Sequence, residues 1–185
     1  MTWQLPTAAI LLALWLPGEV LYRLHGAVRT REDRHSSHVL GLALTVSLSA
    51  SAHMLWTGLG RVTDWPLLSS LGFIVALGGM ALRYWAIQTL GAMFTSAVHL
   101  RADHRLVETG PFRWIRHPGY AGTLAFLVGM ACGLENPWLA AALLAIHGLA
   151  YAYRIHVEEA CLRDHFGEAY GAYAARTWRL LPYVY

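Results

Sequence analysis

The sequence predicts an all-α polytopic membrane protein of about five transmembrane helices, with a polar C-terminal segment on the cytosolic side. Three observations predict it. Hydrophobic residues make up 56% of the 185 residues and charged residues only 14%, against about 25% charged in soluble domains. The apolar residues gather into five runs separated by polar, Pro-containing or Gly-containing stretches. Nearly all the arginines fall in alternate connecting segments, as they do when one side faces the cytosol.

A hydrocarbon core of ~30 Å takes about 20 helical residues. The first run, Leu5 to Tyr22, nearly meets this, and a polar stretch with Arg23, Arg29, Arg31 and Arg34 follows. The second runs from Val39 to about Leu59, and a turn with Arg61, Asp64 and Pro66 leads into the third, Leu67 to about Leu90. The segment from Gly91 to Gly119 carries Arg101, Arg105, Arg113 and Arg116, with Pro111 and Pro118 as helix breakers. The fourth and fifth runs, Tyr120 to Leu134 and Trp138 to Tyr153, are short and are joined by a tight Glu135-Asn136-Pro137 turn. With five spans, every Arg except Arg61 lies on one side, counting Arg83 with the nearby end of the third helix. That side is predicted to be cytosolic and the N-terminus outside. Ala121, Ala125, Gly129 and Gly133 form a small-residue row on the fourth run, and Ala141, Ala145, Gly148 and Ala152 another on the fifth. They predict a close antiparallel hairpin between these two helices. Glu158, Leu162, His165 and Ala169 share a helical face, which predicts an amphipathic helix lying along the membrane surface.

Several classes are excluded. The net charge is +3, and all fourteen positive residues are arginine with no lysine, a bias read as genome composition; positive charge beside apolar spans fits membrane topology, and no basic cluster is interleaved with aromatics as nucleic-acid binding would need. Cys132 and Cys161 form no CxxC pair, against a disulfide framework or zinc site. The first run lacks a basic leader and a small-residue cleavage site, so it is read as a retained span. His35-Ser36-Ser37-His38 is too sparse for a membrane di-iron centre, and no Gly-rich dinucleotide turn occurs. His53 and His147, within apolar runs, are expected to be hydrogen-bonded inside the bundle.

The chemistry-bearing residues lie in two predicted cytosolic segments. One reads His104-Arg105-Leu106-Val107-Glu108-Thr109-Gly110-Pro111-Phe112, then Arg116-His117-Pro118-Gly119-Tyr120. The other carries Arg154, Glu158, Glu159, Leu162, Phe166-Gly167, Tyr170 and Tyr173, and closes on Arg179-Leu180-Leu181-Pro182. Arg154 and Glu158 are one turn apart, which suits either an i, i+4 ion pair worth a few tenths of a kcal/mol or charges kept at an interface for use. Tyr170 and Tyr173 are expected to be packing residues.

Gly110-Pro111-Phe112, Arg116 through Gly122, Arg154, Glu158-Glu159, Phe166-Gly167 and Leu181-Pro182 together resemble the signature of the isoprenylcysteine carboxyl methyltransferase family. The resemblance runs from about Leu82 to the C-terminus. It implies one membrane domain over 1–185, with two N-terminal spans in 1–65 and a catalytic part in 66–185. It further implies a cytosolic S-adenosyl-L-methionine pocket and a membrane-side entrance for a lipophilic acceptor. On the family's pattern, His104, Arg105, Leu106 and Val107 line the cofactor. Gly110, Phe112, Arg116, His117, Pro118, Gly119, Tyr120, Glu158 and Glu159 do so as well, and His99 fills a polar position before the loop. Arg154 faces the acceptor, where its planar fork would fix a carboxylate bidentately. Phe112 replaces a position that is commonly Tyr in the family. Related phospholipid amine or thiol methyltransferases, NADPH-dependent sterol-type reductases and a non-enzymatic membrane scaffold are the alternatives; the intact Arg-His-Pro-Gly-Tyr string favours methyl transfer.

Overall fold

The computed structural model describes residues 4–24, 31–62, 65–94 and 105–182, excepting the side chains of 17–24, 31–34 and 92. It is all-helical among these residues: α1 (Gln4–Leu24), α2 (Arg31–Thr57), α3 (Pro66–Leu90), α4 (Pro118–Gly133), α5 (Pro137–Phe166) and α6 (Glu168–Ala175), with short 3₁₀ turns at Gly91–Met93 and Gly110–Arg113. The five apolar runs therefore coincide with α1 to α5. Three helices are long and apolar enough to cross a bilayer, His35–Thr57, Pro66–Leu90 and Pro137–Phe166; Gln4–Leu16 and Pro118–Gly133 are shorter apolar helices.

Local chemistry sets the boundaries. Pro66, Pro118 and Pro137 each open a helix, where the missing N–H costs nothing and the fixed φ is already helical. Asn136 caps α5 by accepting from the Leu139 amide at 2.9 Å. Gly167, at φ +53°, ends α5 in a conformation that glycine adopts freely. α5 has 30 residues, or ~45 Å at 1.5 Å per residue, so about three turns extend beyond a ~30 Å core. Glu158, Leu162 and His165 thus belong to the unbroken end of the fifth helix. The expected single helical face through all four does not form, because Gly167 ends α5 and Ala169 lies in the next helix.

The small-residue face of α4 packs on α3 rather than on α5, which corrects the expected hairpin interface. A Cβ on Gly129 would lie 2.4 Å from the Ala76 nitrogen and 2.6 Å from the Gly72 oxygen. The two antiparallel helices are thus in backbone contact, and the small side chains serve van der Waals packing where apolar lipid gives no hydrophobic drive. A Cβ on Gly148 meets nothing within 4 Å. Gly129→Ala is accordingly expected to lower stability by about 1–3 kcal/mol or more, read as thermal unfolding in detergent. Gly148→Ala should be neutral or slightly stabilising; equal effects would overturn this packing.

α1 lies against α3 and α4 through Trp15, which stacks on Phe126 at 4.2 Å with Arg83 over its ring. α2 runs antiparallel to α5. The Leu59 oxygen, in the turn just past α2, accepts from Asn136 Nδ2 at one end, and Ser36 meets Arg154 at the other. At the first of these ends Glu135 accepts from Gln4 and Ser69 and pairs with Arg61, joining α1, α3 and the turn before α5. Exposed apolar side chains such as Ile10, Leu42, Leu48, Leu67 and Ile74 cover the outside of the bundle. Exposed aromatics mark its two ends: Trp56, Trp65 and Trp138 at one, Trp85, Trp114, Trp178 and Tyr153 at the other. That is the pattern of interfacial belts.

Candidate active site

The two polar stretches come together at the end that carries the arginines. Residues 114–117 lie alongside 178–179: the Trp178 amide donates to Trp114 O, Arg116 N to Trp178 O at 2.7 Å, and His117 N to Arg179 O. The Tyr173 hydroxyl donates to Phe112 O at 2.8 Å, so α6 clamps the 3₁₀ turn from the other side. Gly110, at φ +57°, lets that turn press on Thr89 of α3, where a Cβ would lie 2.7 Å from its hydroxyl. The phenols of Tyr170 and Tyr173 are pushed above the ordinary tyrosine range by burial, consistent with the packing role expected of them.

Glu159 is the centre of one half of the cluster. It is 1% exposed and accepts from Arg116 Nε at 2.9 Å, Arg163 Nη2 at 2.8 Å and Arg179 Nη2 at 3.2 Å. Arg116 also donates to the Ala174 oxygen at 2.9 Å and to Thr177. One buried carboxylate thus ties α5 to the loop before α4 and to the C-terminal segment. Glu108 and Arg176 form a second, exposed ion pair between loop and C-terminus.

Arg154 is the centre of the other half. It is 3% exposed and donates to Ser36 Oγ at 2.6 Å and Ser37 Oγ at 3.3 Å. Its Nε makes a long 3.4 Å contact with the Tyr120 hydroxyl, which donates to Glu158 Oε2 at 2.8 Å. The tyrosine hydroxyl therefore bridges the Arg and Glu that the i, i+4 spacing placed on one face. Tyr120 is sandwiched between His117 at 5.7 Å and Tyr151 at 4.7 Å between ring centroids. His117 Nδ1 lies 4.0 Å from Glu158, while its Nε2, 3.6 Å from Glu159, has no partner within hydrogen-bond distance among the described residues.

The structure thus brings together Arg116, His117, Tyr120, Arg154, Glu158 and Glu159, with Pro118 and Gly119 as the first residues of α4. Gly119 O accepts from Arg83 at 3.3 Å. Phe112 joins through Tyr173, while Gly110 packs against Thr89 of α3. Arg105 is exposed, and Leu106 and Val107 are half-buried, leading into the 3₁₀ turn. His99 and His104 lie outside the described residues. Ser36 and Ser37 were weighed in the sequence only as part of a sparse histidine motif; their place on Arg154 depends on α2 docking against α5, which no local pattern records. Tyr151, inside the fifth apolar run, belongs to no motif that marks it in the sequence. The bundle bonds expected of His53 and His147 do not form: His53 is exposed, and both ring nitrogens of buried His147 are without partners among the described residues.

Known proteins resemble this chain. The chain matches the profile of the isoprenylcysteine carboxyl methyltransferase family over residues 71–164. It is 34% identical to the probable protein-S-isoprenylcysteine O-methyltransferase of Oryza sativa subsp. indica over 126 residues, 67% of this chain and 66% of that one. It is 36% identical to protein-S-isoprenylcysteine O-methyltransferase B of Arabidopsis thaliana, covering 63% and 60%. The chain therefore spans just under two thirds of the length of these relatives. The solved structure of the eukaryotic intramembrane Ras methyltransferase, isoprenylcysteine carboxyl methyltransferase, superposes with a TM-score of 0.63 at 27% identity, covering 78% of this chain and 52% of that one. On the match to more than half of its length, this chain belongs to the isoprenylcysteine carboxyl methyltransferase family.

Proposed function

We propose that this protein transfers a methyl group from S-adenosyl-L-methionine to the carboxylate of a lipophilic acceptor of the prenylcysteine type, giving a methyl ester. The observation that carries the reading is Arg154: a buried guanidinium, beside the Tyr120–Glu158 pair, that donates to the Ser36 and Ser37 hydroxyls of α2. An acceptor carboxylate displacing the Ser36 and Ser37 hydroxyls would gain a charge-assisted, bidentate contact, stronger than the neutral bonds it replaces. The catalytic part proposed for 66–185 thus takes two side chains from α2, within 1–65.

The residues fit the cofactor. Tyr120 occupies one carboxylate oxygen of Glu158, whose side chain is one-third exposed, leaving the other oxygen to accept from an ammonium or ribose hydroxyls. His117 Nε2 is buried 3.6 Å from Glu159, beyond hydrogen-bond distance of any group among the described residues, and His117 would face the ligand beside Tyr120. Glu158, His117, Tyr120, Phe112 and the turns at Gly110 and Pro118-Gly119 would hold it. The exposed Arg105 and half-buried Leu106 and Val107 would line its outer side; His99 and His104 are assigned to the cofactor by the family pattern alone. Arg116 and Glu159, already bonded to each other, would shape the floor. When bound, the cofactor supplies an electrophilic sulfonium methyl. The protein's part is to hold the carboxylate in line and exclude water. A carboxylate is ionised at neutral pH and needs no general base, in keeping with a site that pairs an Arg with a Tyr-bridged Glu.

The belts and the arginine bias support a bilayer placement with this end cytosolic, the N-terminus outside and α1 to α5 spanning. Glu158→Gln should weaken S-adenosylhomocysteine binding about tenfold by calorimetry, by removing the ionised acceptor of a charge-assisted hydrogen bond. Equal affinity would reject the site, and NADPH binding in place of S-adenosylhomocysteine would favour a reductase.

A further inference from the structure

The polar wall of the site continues into the apolar part of the bundle. Tyr120 stacks on Tyr151 at 4.7 Å, and Tyr151 lies 5.9 Å from the His147 ring. His147 is 5% exposed, and both its nitrogens are buried without a hydrogen-bond partner among the described residues, as is Ser47 Oγ on α2. The contacts of Ser36 with Arg154 and of Leu59 with Asn136 fix the antiparallel register of α2 on α5. That register puts Ser47 within about one turn of His147 in depth. Two orphaned polar groups therefore face one seam.

This is costly where no water is at hand. An unpaired polar group buried in apolar surroundings is destabilising, and an ionisable side chain inside a membrane points to use rather than packing. A leucine at 147 would avoid the cost entirely.

We infer that His147, with Ser47, forms a second recognition point for the acceptor and selects acceptors that carry a hydrogen-bonding group on their lipophilic part. His147 is seven residues from Arg154 on α5, about 10 Å along the helix. An acid anchored on Arg154 with its tail directed between α2 and α5 would present to His147 an atom about 10 Å from the carboxylate. A plain hydrocarbon chain leaves both groups orphaned; a hydroxyl or carbonyl at that distance satisfies them. The recognition point rests on the proposed function, because Arg154 sets the distance.

The test uses two N-acetyl cysteine thioethers of equal chain length, one a hydrocarbon and one with a hydroxyl about 10 Å from the carboxylate. Binding to the purified full chain in nanodiscs is measured by thermal shift, and methyl transfer is measured separately. Wild type should favour the hydroxylated probe about tenfold, the worth of one buried hydrogen bond. In His147→Leu that preference should fall to within twofold, and His147→Gln, which keeps a hydrogen-bonding group, should restore part of it. S-adenosylhomocysteine binding checks that each variant is folded. No preference in wild type, or a preference unchanged in His147→Leu, overturns the inference; so does a rise in thermal stability of His147→Leu with no change in selectivity, which would mark a packing defect. Wild-type preference in binding without methylation of either probe would overturn the proposed function and leave this recognition point standing.

Discussion

Arg154→Ala is expected to lower kcat/KM for a prenylcysteine-type acid by at least about a hundredfold. Removing one partner of a desolvated, hydrogen-bonded charge pair costs about 2–5 kcal/mol, and a hundredfold is about 2.7 kcal/mol. The guanidinium is buried, and its Ser36 and Ser37 contacts come from a different helix, so no neighbour on α5 can take its place. Because its proposed partner is the acceptor, S-adenosylhomocysteine affinity should change by less than about threefold. Arg154→Lys should recover only part of the loss, since an ammonium is a point charge without the planar fork. Initial rates over a range of acceptor concentrations, with calorimetry of the nucleotide, check both halves. An unchanged kcat/KM, or a parallel collapse of nucleotide binding, would remove Arg154 from the acceptor site.

Glu159→Ala should destabilise the protein by about 3–5 kcal/mol, because it strands buried cationic groups around an empty space. Arg116 is nearly as buried as the carboxylate, whereas Arg163 and Arg179 are partly exposed and contribute less. The loss should appear first in the C-terminal segment, since Arg116 also holds the Ala174 and Thr177 oxygens. Thermal unfolding combined with limited proteolysis reads both effects. Glu108→Ala breaks an ion pair whose partners are both exposed and should cost under about 1 kcal/mol. If the two variants unfold alike, Glu159 is not the tie that its contacts describe.

Much of the fold was legible because the bilayer constrains it so strongly. Each spanning backbone must satisfy its own hydrogen bonds, so an apolar run of the right length is already a helix, and Pro66, Pro118 and Pro137 mark where three of them start. The site was legible in its residue types: Arg154, Glu158, His117 and Tyr120 do meet. Partner choice was harder to read. The glycines of α4 announced a close neighbour without saying which helix, since a small-residue face fits α3 or α5 equally well until the connecting segments decide. The sequence likewise listed Glu158 and Glu159 side by side, and only their placement on α5 separates them. Glu159 turns inward to three arginines, while Glu158 remains partly open beside Tyr120.

By itself, then, the sequence determined the helices, their membrane character and the chemical inventory at one end of the bundle. These follow from hydropathy, proline placement and charge, each a local property of the chain. The tertiary structure decided what those residues do to one another: α2 delivering Ser36 and Ser37 to Arg154, the C-terminal segment closing on the loop before α4, and His147 left without a partner in the seam. Such contacts join residues up to 118 positions apart, and their existence depends on how whole helices dock, which no local spacing encodes.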